Sequence, residues 1–137
     1  MTVHRRSAAL IVCLLLAGAA ARPTAAGHGT GGPVLAIPAE YAKRLLDEGD
    51  RPLFIDLRPE GEYRRARLPG ARSVPLRDLQ RRHAEIPRTG RVVLYCACGE
   101  SEIQGAYQFL RDQGYRNVSV MEDGFPGWTK RGYPVER

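Results

Sequence analysis

Apolar residues along this chain come in short continuous runs, separated by stretches where they recur every three or four positions. Pro38 opens a segment in which Tyr41, Leu45 and Leu46 share one face and Gly49 closes it, the pattern of a helix of two or three turns. Residues 53–57, LFIDL, predict a short buried strand, and Pro59 can start a brief helical turn through Glu62 and Tyr63. Residues 71–74 are a further strand candidate, and residues 76–84 have a polar helical pattern that ends before Pro87. Residues 91–95, RVVLY, concentrate β-branched and aromatic side chains and predict a strand. Ile103, Ala106, Tyr107 and Leu110 then recur at i, i+3, i+4 and i+7, with Gly114 as the stop. A strand over residues 118–121 and a short helix over residues 125–131 complete the series. Strands alternating with helices predict an α/β fold, a parallel sheet covered on both faces. In such sheets ligands bind beyond the carboxyl ends of the strands. Cys96 occupies such an end, and the next helix begins near Ser101.

The first 26 residues follow a different rule. They contain no acid, and His4, Arg5 and Arg6 precede an apolar run over residues 8–21 that is short for a membrane-spanning helix. Small residues follow at Ala19–Ala21 and again at Ala25 and Ala26. This order predicts a secretory signal peptide over residues 1–26, cut after Ala26, where Gly27 opens a flexible stretch, or near Ala21. The alternative is an uncleaved segment that anchors the protein in a membrane. Residues 27–33 form a Gly-rich linker, and residues 34–137 form the folded domain. The expected location is the periplasm or the medium, with no stable membrane span after cleavage.

Cleavage removes Cys13 and leaves Cys96 and Cys98 as the only thiols. It also removes three arginines and no acid, so the formal charge of +6 falls to +3. The remaining bases are interspersed with apolar and acidic residues, with no aromatic-basic motif, which argues against a nucleic-acid partner. His28 lies in the linker and His83 on a polar segment, so no spacing suggests a metal site, and no cofactor is expected.

A thiol becomes a nucleophile when it loses its proton, and backbone N–H groups backed by a helix N-terminus favour the anion. The segment Ala97, Cys98, Gly99, Glu100, Ser101 and Glu102 can supply such amides, and Gly99 permits a tight turn. The same cradle would hold a persulfide, so strand, Cys96, loop and helix suit covalent sulfur carriage.

Four stretches carry a resemblance to single-domain rhodaneses: LFIDLRPEGEYRRARLPGARSVPL, VVLYC, GAYQFLRDQGYRNVSVMEDG and FPGWTKRGYPVE. The resemblance covers about residues 34–137. The resemblance implies a central five-stranded parallel sheet flanked by helices on both faces. It implies a sulfurtransferase in which Cys96 takes sulfane sulfur from a small-molecule or protein-bound donor and passes it to a thiol or other thiophilic acceptor. Asp56, Arg58 and Glu62 fall on positions that imply an ion-paired support for the loop.

The departures are specific. Active rhodaneses commonly carry a base in the loop, whereas this loop has two acids, Glu100 and Glu102, and no base. Its acids disfavour the thiolate unless they point outward and cap the helix. Thiosulfate, a dianion, is therefore expected to be a poor donor. Arg67 and Arg131 are the candidates for a compensating cation. The usual Gly-His before Pro-Gly-Ala is Ala66-Arg67, and the usual Gly-Gly near the last helix is Asp123-Gly124. A Cys-x5-Arg phosphatase loop is excluded, because Glu102 stands where that arginine would be. Cys98 adds a candidate resolving thiol, which leaves open two alternatives: a Cys96/Cys98 dithiol redox protein, or a catalytically weak module of the same fold that binds a partner.

Overall fold

A computed structural model describes residues 32–137. The expected leader and most of the Gly-rich linker lie outside the described residues. The elements in chain order are β1 (Ala36–Ile37), α1 (Ala39–Asp47), β2 (Leu53–Asp56), α2 (Glu60–Arg65), β3 (Arg72–Ser73), α3 (Leu79–Arg82), β4 (Val92–Tyr95), α4 (Glu100–Asp112), β5 (Val118–Met121) and α5 (Gly124–Lys130). Five strands pair in the order β1-β5-β4-β2-β3, with every pairing parallel. The resulting fold is rhodanese-like α/β, as the resemblance implied. No helix among the described residues is long and apolar enough to cross a membrane.

β4 lies between β5 and β2, and all four of its residues are buried. A strand covered on both faces needs a continuous apolar run, which accounts for VVLY. Its side chains alternate between two separate cores. Val92 and Leu94 pack with Tyr107 and Leu110 of α4 and with Leu79 of α3. Val93 and Tyr95 pack with Ala39 and Ala42 of α1 and Trp128 of α5. Trp128 is therefore a core residue on the face away from the loop, with its indole N–H donating to the Pro134 carbonyl.

The polar segment at residues 76–84 departs from the expected single helix. It consists of a 3-10 turn at Leu76–Asp78, one turn of α3, and a second 3-10 turn at His83–Glu85. Leu79 is its only fully buried residue, so packing rewards little regular helix. The Arg82 side chain bonds the Ser73 carbonyl and Glu85 instead, fixing the segment beside the sheet edge. This path carries Arg77 to the carboxyl end of the sheet.

Candidate active site

The alternation of β4 continues one residue further. Cys96 keeps the parity of Val92 and Leu94, and its side chain joins the α4 face, 6% exposed. The chain then turns through exposed Ala97 and half-buried Cys98 to Gly99, the residue that caps α4. The sulfurs of Cys96 and Cys98 are bonded to each other, with the Cα atoms 5.3 Å apart.

Two clefts meet at this pair. The larger, about 550 Å³, is lined by Cys96, Ala97 and Cys98 together with Glu100, Glu122 and Asp123, and no Lys or Arg is in its wall. The smaller, about 280 Å³, shares the same three loop residues and adds Arg58, Glu62, Arg77 and Glu102. The Cys96–Cys98 segment thus borders both an acidic cleft and a mixed one.

The loop acids take up helix-end roles. Glu102 reaches back to accept the Gly99 N–H at 2.9 Å, while its own N–H donates to the Gly99 carbonyl at 3.1 Å. This reciprocal bonding satisfies donors at the start of α4. Glu100 accepts from the Gln104 side chain at 2.7 Å. Two of the six loop amides, those of Gly99 and Glu102, therefore have oxygen partners within the turn. Among the described residues no N–H is hydrogen-bonded to either sulfur in this disulfide form. The Cys96 carbonyl accepts the Phe125 N–H at 2.8 Å, which ties the loop to α5. A Cβ at Gly124 would run into that carbonyl, and φ there is +56°, so the glycine is required by both space and backbone conformation.

Asp56, Arg58 and Glu62 are brought together behind the loop. Arg58 is 3% exposed and Asp56 is fully buried. The Arg58 Nε lies 3.0 Å from Asp56 Oδ1 and Nη2 lies 2.6 Å from Oδ2, the two-pronged geometry of a strong ion pair. Nη2 also donates to the Ala66 carbonyl at 2.7 Å, and Glu62 lies 3.7 Å from Nη1. Burial opposes the charge on Arg58, but the hydrogen bonds and charge of Asp56 more than offset it and hold the guanidinium above its ordinary pKa. The Tyr95 hydroxyl donates to the same carboxylate and accepts the Leu68 N–H at 3.2 Å. Burial, and then the Asp56 charge, push the Tyr95 phenol well up, so it stays protonated. The Arg58 guanidinium lies 3.6 Å from the Phe125 ring centroid, so this buttress also grips the first turn of α5.

The expected compensating cations are elsewhere. Arg67 pairs with Glu136 at 3.3 Å, in an antiparallel bridge that ties down the C-terminal segment. Arg131 pairs with Glu40 and Asp123, joining α5 to α1. Neither lines a cleft beside the sulfurs. Both departures from the family pattern thus have structural partners: Ala66 receives Arg58, and Asp123 accepts the Ala39 N–H at the start of α1. The cation that does reach the mixed cleft in the open is Arg77, 78% exposed, which pairs with Asp78 at 3.5 Å. In the sequence Arg77 was one of many dispersed arginines. Its position after Pro75-Leu76, where the chain returns along β2, is what marks it out.

Comparison with known proteins agrees with this geometry. The rhodanese-like domain family matches residues 38–131. A sulfurtransferase from Allochromatium vinosum is 33% identical over 99 residues, 72% of this chain and 92% of that protein. The HTH-type transcriptional regulator Rv0324 of Mycobacterium tuberculosis is 32% identical over 120 residues, 82% of this chain but 49% of that protein. Among solved structures, the rhodanese-like domain from Anabaena sp. superposes with a TM-score of 0.66 at 26% identity, covering 74% of this chain and 77% of that one. A thiosulfate sulfurtransferase from Pseudomonas aeruginosa gives 0.65 at 32% identity, covering 76% of this chain and 20% of that one. The chain belongs to the rhodanese-like family.

Proposed function

We propose that this protein is a sulfurtransferase that carries sulfane sulfur as a persulfide on Cys96. With the pair reduced, the Cys96 thiolate attacks the outer sulfur of a donor R–S–S⁻, the R–S⁻ thiolate leaves, and an acceptor thiolate later takes the carried sulfur. The observation that supports this most is the place of Cys96: it directly follows the central strand and lines two clefts. The sulfurtransferase relatives support the reaction class. The acidic wall of the larger cleft favours a neutral or thiol-borne donor over thiosulfate. On this reading the basic head and apolar run of the leader send the protein to the periplasm or the medium.

The test is intact mass of the reduced protein, in wild type and in Cys98→Ser, after treatment with glutathione persulfide, polysulfide or thiosulfate. A gain of one sulfur atom in at least one of the two forms, abolished when Cys96→Ala is added, is expected. No gain in either form with any donor would remove the proposal.

A further inference from the structure

We propose that Cys98 is a second catalytic thiol, which discharges the Cys96 persulfide as hydrosulfide and so makes the protein a persulfide reductase; this rests on the Cys96 persulfide proposed above. The two sulfurs are bonded in this structure while β4 keeps its pairing on both sides and α4 keeps its cap. The fold therefore allows Cys98 to reach the Cys96 sulfur without disturbing either flanking element. Cys98 is also the more exposed of the two, and it lines both clefts.

The step follows from which sulfur is within reach. In a persulfide the Cys96 sulfur is the inner atom, the same atom to which Cys98 is bonded here. Attack of the Cys98 thiolate on that atom forms the Cys96–Cys98 bond, breaks the bond to the carried sulfur, and expels it as HS⁻. The larger cleft has three carboxylates and no Lys or Arg in its wall, so the expelled anion is not retained there. An external dithiol then reduces the disulfide by two exchange steps. Overall, R–S–SH and R′(SH)₂ give R–SH, H₂S and the cyclic disulfide R′S₂. The bonded pair is thus the state left by each sulfide release, before the external dithiol restores the two thiols.

The experiment loads the reduced, desalted protein with one equivalent of glutathione persulfide and follows free sulfide and intact mass together, in wild type, Cys98→Ser and Cys98→Ala. Wild type should release about one sulfide per protein and end two hydrogens lighter than its reduced form. Both variants should retain the added sulfur, with sulfide release slower by at least roughly tenfold, since they lose an attacking group held in place. If the variants and wild type retain the sulfur alike, Cys98 has no such role and the transferase reading stands. If no form gains sulfur, both readings fall.

Discussion

Asp56 and Tyr95 lie in register on neighbouring strands, and the Tyr95 hydroxyl donates to the Asp56 carboxylate. The same carboxylate holds Arg58, so one fully buried acid unites β2, β4 and, through Phe125, α5. The Tyr95 ring lies on the opposite face of β4 from the Cys96 side chain, while Arg58 and Glu62 reach the wall of the smaller cleft. The role of the cluster is to fix the strand end from which Cys96 projects.

Arg58→Ala leaves Asp56 buried without its counter-ion. The expected loss is about 3–5 kcal/mol of stability, far above that of an exposed pair. Urea unfolding will measure it, and pairing Arg58→Met with Asp56→Leu should recover a large part of the loss.

Gly124→Ala forces a side chain into left-handed backbone and against the Cys96 carbonyl. A loss of about 3 kcal/mol is expected, from backbone strain together with the displaced Phe125–Cys96 hydrogen bond. Thermal or urea unfolding of the variant checks it. Sulfur uptake should fall as well, because the displaced carbonyl belongs to Cys96, the proposed sulfur carrier.

Glu100→Arg exchanges an acid of the larger cleft for a base at the start of α4. The kcat/KM for thiosulfate should rise by about tenfold, which corresponds to about 1.4 kcal/mol of electrostatic relief. Arg77→Glu should lower it, chiefly through KM, because Arg77 is an exposed cation on the mixed cleft. Steady-state kinetics with thiosulfate and with a persulfide donor of lower negative charge will separate charge from geometry.

Glu40 links α1 to Arg131 of α5, and its carboxyl is held below the ordinary value of 4.5, first by its own backbone N–H and then by the Arg131 guanidinium. A depressed folded-state pKa means that the contribution is complete above the unfolded value and is lost as pH falls through the folded one. Glu40→Gln should therefore melt at a lower temperature than wild type near neutrality. The two curves should converge in acid, below the folded-state pKa.

Much of the fold was legible in the sequence because strand and helix periodicities do not compete along this chain. RVVLY and VSVM have no helical alternative, and Ile103, Ala106, Tyr107 and Leu110 have no strand alternative. The segment at residues 76–84 was less legible, since its short turns depend on Arg82 finding the Ser73 carbonyl, a tertiary contact. At the site, Cys96, Cys98 and the Asp56–Arg58–Glu62 cluster were visible as motifs. The charge balance was not. Arg67 and Arg131 found acids at Glu136 and Glu40, partners distant in sequence, while Arg77 reached the cleft by the path of the chain.

The alternation of β4 has one more consequence. Because Cys96 and Tyr95 project to opposite sides of a single strand, the sheet separates reactivity from anchoring. Mutations that reshape the larger cleft need not touch the carboxylate hub, so donor preference can change while the scaffold stays intact. Inserting one residue after Leu94 would exchange those assignments, sending the hub's phenol toward α4 and the thiol toward α1.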